Sequence, residues 1–80
     1  MKIKLVAYGI AKDILKSKSL DWPIQAGYSI AALKQDLIRD YPAFASLTKL
    51  SFAVDEEYRD DNFLLKENDE VVIIPPVSGG

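Results

Sequence analysis

The chain has 80 residues, of which 49% are hydrophobic and 28% charged, and its formal net charge is -2. This length and composition are typical of one compact domain with a small core, and they exclude a disordered chain. No apolar stretch approaches the roughly 20 residues of a membrane-spanning helix, and the N-terminal apolar run is too short for a secretory signal. We therefore expect a cytoplasmic protein with no membrane partner.

The sequence lacks two reactive side chains, since it contains no Cys and no His. This excludes disulfides, thiolate nucleophiles, imidazole bases and ordinary zinc sites. The charges are unevenly distributed, because residues 1–49 carry a net charge of +4 and residues 50–80 carry -6. An acidic C-terminal part disfavours nucleic acid as a partner and favours a basic protein surface.

The first part of the chain predicts two strands with a short helix between them. Residues 2–8 alternate polar and apolar, which is the period of a half-buried strand. Residues 10–16 then predict a short amphipathic helix, and residues 20–25 a second strand lying alongside the first. Pro23 confines the second strand to an edge of the sheet or to a bulge, because proline has no amide hydrogen to donate. The apolar side of the short helix is predicted to contain Ile10, Ile14 and Leu15.

The one long helix is predicted to begin after Ser29, whose hydroxyl is suited to accept a hydrogen bond from a free amide of the first turn. Apolar residues then recur every three or four positions, which gives one stripe along a helix. Pro42 ends the helix, because the residue before a proline avoids helical geometry. The stripe consists of Ile30, Leu33, Leu37, Ile38 and Tyr41.

The last third of the chain predicts two more strands around an acidic stretch. The first strand covers residues 50–54, with Phe52 and Val54 as core candidates, and five acids follow within residues 55–61. After a short apolar segment at 63–65, a turn at Asn68 leads into the strand 70–74. The unbroken apolar run of this last strand favours a central strand buried on both faces.

This order of elements predicts an α+β fold, in which one long helix packs on one face of a mixed sheet of four to five strands. The first and last strands are expected to pair in parallel, with a right-handed connection through the helix. That arrangement is the ubiquitin-like β-grasp. We assign residues 1–75 to the β-grasp domain and residues 76–80 to a flexible C-terminal diglycine tail.

The tail follows the last strand directly. Pro75 and Pro76 prevent the strand from continuing and direct the chain into an extended conformation away from the sheet. Gly79 and Gly80 have no Cβ, so they can enter a channel that is too narrow for any side chain. The tail is therefore predicted to insert into partner proteins.

The group that reaches the end of such a channel is the α-carboxylate of Gly80. An ATP-dependent partner could convert it to an acyl-adenylate, from which a sulfur or a nitrogen nucleophile would displace AMP. Val77 is interpreted as a docking or packing contact. Ser78 is interpreted as a small polar spacer, because no His is available to activate its hydroxyl.

The segment LKENDEVVIIPPVSGG at residues 65–80 resembles the C-terminal signature of the molybdopterin synthase small-subunit family, which consists of ubiquitin-like sulfur carriers. A weaker resemblance extends to LVAYGIAKDIL, to SIAALKQDLIRDYP and to the Phe-Ala-Val strand, so that it covers nearly the whole chain. The diglycine alone is shared by all ubiquitin-like carriers, whereas PPVSGG at the end of a β-grasp pattern is specific.

The resemblance implies that Gly80 is adenylated by a ubiquitin-activating-like adenylyltransferase that uses ATP, and is then converted to a thiocarboxylate. The tail would insert into the large subunit, where its sulfur is transferred to cyclic pyranopterin monophosphate to make molybdopterin. The family assembles as a heterotetramer of two large and two small subunits. The chain itself would be a non-catalytic, sulfur-carrying subunit with no bound cofactor.

Two positions depart from the family pattern. Asp55 stands where many relatives have Asn, and Asn68 stands where Gly is common. Asn tolerates positive φ almost as well as Gly, so the second change is expected to be harmless. The first change adds an acid to a stretch that is already acidic.

The acidic stretch allows three interpretations: a solvated hairpin, a docking surface for a basic partner, or a metal site. The stretch lacks the alternating oxygen ligands and the glycine of a calcium loop, so we predict no metal site. Aromatic side chains beside it could act as interface anchors. The candidate partner interface consists of Phe63, Tyr58, Asp55, Glu56 and Glu57.

Three alternative functions remain open from the residues alone. The chain could carry sulfur for thiamine thiazole or another sulfur-containing product, or it could be a ubiquitin-like modifier that is joined to lysines. Both use the same Gly80 carboxylate, so the sequence does not separate their mechanisms. A plain interaction domain with an inert tail is the third alternative.

Overall fold

The computed structural model of the protein describes residues 1–47 and 49–75. The elements in chain order are β1 (Lys2–Ala7), α1 (Gly9–Leu15), β2 (Ser19–Pro23), α2 (Ile30–Asp40), a 3₁₀ helix (Pro42–Ser46), β3 (Ser51–Val54), β4 (Glu57–Arg59) and β5 (Glu70–Ile74). The strands form one mixed sheet in the order β2-β1-β5-β3-β4. Strands β1 and β5 are parallel, as the sequence predicted, and all other neighbouring strands are antiparallel.

The core lies between one face of the sheet and helix α2. Side chains alternate between the two faces along each strand, so every second residue points towards the helix. Leu5 of β1, Val71 of β5 and Val54 of β3 are neighbours in the sheet, and all three are fully buried. The side chains that are no more than 2% exposed are Ile3, Leu5, Ala7, Ala11, Ile30, Leu33, Leu37, Phe44, Phe52, Val54, Val71 and Ile73.

Helix α2 begins and ends where the sequence predicted. The Ser29 hydroxyl accepts a hydrogen bond from the Ala32 amide at 3.1 Å, which satisfies one of the free amides of the first turn. The helix ends at Asp40, immediately before Tyr41 and Pro42. Ile38 and Tyr41 are only half-buried and pack at the margin of the core.

Strand β2 is an edge strand, as Pro23 predicted, although it spans residues 19–23 rather than 20–25. The Ala7 amide donates to the Lys18 carbonyl at 2.8 Å, and the Ile24 amide donates to the Met1 carbonyl at 2.9 Å. Along an antiparallel edge strand, the backbone amides point alternately towards the neighbouring strand and towards solvent. Pro23 therefore takes a solvent-facing position, where no amide is required.

The structure corrects two predictions about burial. Strand β5 is not buried on both faces, since Val71 and Ile73 are fully buried whereas Val72 and Ile74 are half-buried. The reason is that the helices all pack on one side of the sheet and share a single core. In α1, Ile10 is 48% exposed, and Ala11 takes the buried position one helical turn before Leu15.

Candidate functional site

The base of the predicted tail lies in the middle of one end of the sheet. Strand β5 lies between β1 and β3, so its end at Ile74 is flanked on both sides. Ile74 is paired with Ser51, and the half-buried Pro75 follows it. The remaining predicted tail residues, Pro76, Val77, Ser78, Gly79 and Gly80, lie outside the described residues.

The sheet face directed away from α2, here called the open face, presents apolar side chains next to this base. Four of them lie at the same level across four strands, as the pairing of Val6 with Val72, Val72 with Ala53, and Ala53 with Tyr58 shows. This apolar row consists of Val6, Val72, Ala53 and Tyr58. Tyr58 is 69% exposed, so its ring is available for contact with another molecule.

A second level of the open face lies between the apolar row and the end of β5. It contains Ile74 and its neighbour Ser51. Tyr8 follows β1 in an extended conformation, so alternation places it on this side, and it is 56% exposed. The open face is therefore apolar at the end where the chain continues into the tail.

The opposite end of the open face is charged. Lys4 is the sheet neighbour of Glu70 on one side and of Asp21 on the other. Lys2 forms an exposed salt bridge of 3.1 Å with Asp21. The open face thus changes from apolar to charged over three levels of side chains.

The loop between β3 and β4 adds acidic groups beside the apolar row. Its two residues, Asp55 and Glu56, both have positive φ, at 55° and 66°, as in a type I′ hairpin turn. Such a turn favours Asn, Asp or Gly, so Glu56 is held in a strained conformation. Together with Glu70 and Val72, these two residues line a shallow concavity.

The structure brings some of the predicted interface residues together and separates others. Asp55, Glu56 and Tyr58 adjoin the open face. Glu57 is paired with the buried Val54, which places it on the helix side of the sheet. Phe63 is half-buried, and the Arg59 guanidinium lies 4.6 Å from its ring centroid.

Sequence reasoning did not single out several residues of the open face: Tyr8, Val6, Val72 and Ile74. A signal for them was present in the strand period. Val6 and Tyr8 occupy the positions of the first strand that a half-buried strand normally gives to polar residues. Val72 and Ile74 could be recognised only after β5 was known to be covered on one side.

The Asp-Glu-Val part of the C-terminal signature has a structural role. The buried Asp69 carboxylate accepts hydrogen bonds from the Lys66 amide at 2.9 Å and the Lys66 ammonium at 3.0 Å. Asn68 has the predicted positive φ, at 70°, and its backbone amide donates to the Lys2 carbonyl at 2.8 Å. These contacts fix the turn that starts β5 beside β1.

A second polar cluster joins β2 to α2 on the other side of the molecule. The Tyr28 hydroxyl donates to the Asp36 carboxylate and accepts from the Trp22 indole nitrogen at 3.2 Å. Arg39 pairs with Asp36 at 3.1 Å. Burial, followed by the hydrogen bond to Asp36, raises the pKa of Tyr28 to about 12. The cluster therefore stabilises the packing of β2 against α2 with a tyrosine that stays protonated.

The acidic stretch is engaged in local contacts. Asp61 forms a salt bridge of 3.1 Å with Lys34, and Asp60 accepts from the Asn62 amide at 3.0 Å. Within residues 1–47 and 49–75, no group of three or more His, Cys, Asp or Glu side chains is placed to hold a metal ion. In the same part of the chain, no helix has both the length and the apolar character needed to cross a membrane.

Comparison with known sequences gives relatives of nearly the same length. The chain is 31% identical to the molybdopterin synthase sulfur carrier subunit of Caenorhabditis elegans, covering 100% of this chain and 99% of that protein. It is 33% identical to the protein of the same name from Dictyostelium discoideum, covering 99% and 96%.

Comparison with solved structures confirms the β-grasp fold. The putative molybdopterin converting factor subunit 1 of Pyrococcus furiosus matches with a TM-score of 0.86 at 17% identity, covering 96% of this chain and 99% of that chain. Small archaeal modifier protein 1 of Haloferax volcanii matches with a TM-score of 0.81 at 12% identity, covering 95% and 98%.

A third solved structure contains two proteins. In the complex of subunits 1 and 2 of the molybdopterin-converting factor of Helicobacter pylori, the matching chain has a TM-score of 0.68 and 22% identity, and both chains are fully covered. The sequence also matches the ThiS family over residues 8–80. Since this match spans most of the protein, the chain belongs to the ThiS family.

Proposed function

We propose that the protein is the sulfur carrier subunit of a molybdopterin synthase. The observation that carries this proposal is similarity along the whole length to proteins of that name, at 31% and 33% identity. The β-grasp with PPVSGG after its central strand adds a reason in the sequence itself. The protein carries sulfur, and the catalytic groups belong to its partner.

The chemistry takes place at the α-carboxylate of Gly80. This carboxylate attacks the α-phosphate of ATP on an adenylyltransferase, which releases pyrophosphate and leaves an acyl-adenylate. Sulfide, as HS⁻, then adds to the carbonyl carbon, AMP departs as the leaving group and the sulfur loses its proton, so that a thiocarboxylate remains. The six residues from Pro75 onward span at most about 20 Å, which allows Gly80 to enter a pocket while the domain stays outside.

The large subunit then receives the tail and transfers the thiocarboxylate sulfur to cyclic pyranopterin monophosphate. Residues on the surface of the small protein have to hold the tail in register with that pocket. The open face is suited to this role, because its apolar levels adjoin the base of the tail. Tyr58 supplies an exposed aromatic anchor within the apolar row.

The acidic residues define the charge of the partner surface. Asp55, Glu56 and Glu70 lie at the margin of the apolar row, so a partner with Lys or Arg opposite them gains in both encounter rate and orientation. We propose a heterotetramer with the large subunit in the cytoplasm. The adenylyltransferase needs the same Gly80, so the two partners bind alternately.

The proposal is tested by a mass spectrum of the C-terminal peptide after incubation with ATP, a sulfide source and the cognate adenylyltransferase. We expect the mass gain of one oxygen-to-sulfur exchange on Gly80. The measurement has to be made on the peptide, because oxidation of Met1 changes the intact mass almost equally.

The matched control is a chain without Gly79 and Gly80. It is expected to melt at the same temperature as the parent and to show no mass gain. An unchanged parent peptide in the presence of an active enzyme would refute the proposal. If a lysine conjugate formed instead, the protein would be a ubiquitin-like modifier.

A further inference from the structure

We propose that the free protein forms a symmetric dimer through its open face, so that a second copy of the chain covers this surface. The two-fold axis lies in the plane between the two copies. It runs parallel to the strands, directly above the seam between β1 and β5. This inference goes beyond sulfur transfer and depends only on how side chains are arranged on the open face. Its consequence is that self-association and partner docking exclude each other.

The apolar level of the open face is complementary to itself about this axis. Val6 and Val72 are direct neighbours on adjacent strands. A two-fold axis between the strands places Val6 of one copy over Val72 of the other, and the reverse contact follows by symmetry. Tyr8 and Ile74 lie one level nearer the tail, and the same axis brings them together. Two half-covered apolar levels are thereby buried in each copy.

The centre of the charged level is complementary about the same axis. Lys4 and Glu70 are also direct sheet neighbours, one on each side of the proposed axis. Among the described residues, neither has an opposite charge within salt-bridge distance. The axis places Lys4 of each copy against Glu70 of the other, which makes two intermolecular ion pairs. At the outer margins, the axis brings Asp21 of β2 opposite the acidic turn Asp55–Glu56 that follows β3. Asp21 is partly neutralised by its salt bridge with Lys2, so the central Lys4–Glu70 pairs decide the orientation of the copies.

The size of the open face indicates a weak dimer. Five strands about 4.8 Å apart and three levels of side chains about 7 Å apart give a face on the order of 500 Å². A stable specific interface buries roughly 800 Å² on each partner. Self-association is therefore expected at high micromolar concentrations, where a partner with a larger interface displaces the second copy.

Sedimentation velocity on the full chain, from about 10 μM to 1 mM, tests the dimer. The wild type is expected to show a sedimentation coefficient that rises with concentration. Lys4→Glu and Glu70→Lys should each weaken self-association at least tenfold, because each change puts like charges opposite each other twice. A one-to-one mixture of the two variants should restore it, since every pair across the axis again joins a lysine to a glutamate.

The control variant is Lys12→Glu, a charge reversal on the exposed side of α1, which should sediment like the wild type. Circular dichroism on each variant checks that it is folded. A wild type that stays monomeric at 1 mM refutes the dimer. Single variants that associate like the wild type, or a mixture that stays monomeric, refute the proposed axis. These outcomes leave the mass measurement on Gly80 unaffected.

Discussion

The strained hairpin turn gives a prediction whose sign can be worked out from the backbone. Glu56 has a φ of 66° and is the second residue of the two-residue loop between β3 and β4. An L-residue in the left-handed region costs about 1–2 kcal/mol, and glycine does not carry this cost. Glycine also makes the unfolded chain more flexible, which costs about 0.4–1 kcal/mol. Glu56→Gly is therefore expected to raise the free energy of unfolding by about 0.5–1 kcal/mol.

The chain contains a matched control for this substitution. Glu67 is also an exposed glutamate in a tight turn, but the described non-glycine residues with positive φ are Lys16, Asp55, Glu56 and Asn68. Glu67→Gly removes the same side chain without relieving strain, so it should lower the free energy of unfolding by about 0.5–1 kcal/mol. The two variants should thus differ from the parent in opposite directions.

Urea unfolding followed by the fluorescence of Trp22, the single tryptophan, measures both free energies. Thermal unfolding provides a second measurement, since 1 kcal/mol corresponds to about 4–8 °C in a domain of this size. A Glu56→Gly protein that is no more stable than the parent, or that shifts in the same direction as Glu67→Gly, would show that the turn stores no strain.

The same variant tests why an acid is kept in an unfavourable turn. Glu56→Gly removes a carboxylate from the margin of the open face, so binding of the large subunit should weaken several-fold at low salt and less at high salt. Glu67→Gly should bind like the parent in the same calorimetric titration. If the two variants bind the large subunit with equal affinity, the acidic turn is not part of the interface.

Two further predictions concern the polar cluster and the open face. Tyr28→Phe leaves the Trp22 indole nitrogen without its acceptor, so it should cost about 1–2 kcal/mol at neutral pH in urea unfolding. Because the folded pKa of Tyr28, about 12, lies above its ordinary value of 10, its contribution is complete below pH 10 and is lost as the pH rises towards 12. The stability advantage of the parent over Tyr28→Phe should shrink across that window, and an advantage that does not change with pH would contradict the assignment. Val72→Glu should weaken large-subunit binding tenfold or more while the protein stays folded by circular dichroism; unchanged affinity would place the interface elsewhere.

The features that could be predicted from the sequence depend on short stretches of chain. Alternation in residues 2–8, the N-cap Ser29, the edge position of Pro23 and positive φ at Asn68 each follow from a few neighbouring residues. Their physical causes are the strand period, the free amides of a helix start, the missing amide of proline and the left-handed backbone. The structure confirms all four.

The features that the sequence did not reveal depend on what lies across space. A run such as Val71 to Ile74 suits a strand covered on two faces and also a strand whose outer face meets another protein. In α1, Ile10 and Ala11 are both apolar, and only the packing of the helix decides that the alanine is buried. A solvated hairpin was one interpretation of the acidic stretch, but its turn could not be placed at residues 55–56, because Glu56 is a poor sequence signal for positive φ.

The tail and the docking surface of the proposed site also differ in how far the sequence predicts them. The proposed tail chemistry depends on contiguous residues, so PPVSGG at the end of a β-grasp pattern was enough to propose it. The docking surface is assembled from β1, β3, β4 and β5, and it exists only because register brings Val6, Val72, Ala53 and Tyr58 to one level. A diglycine tail without side chains gives little basis for distinguishing partners. We therefore propose that selection between an adenylyltransferase, a large subunit and a second copy resides on the open face, where apolar and charged levels offer each partner a different combination of contacts.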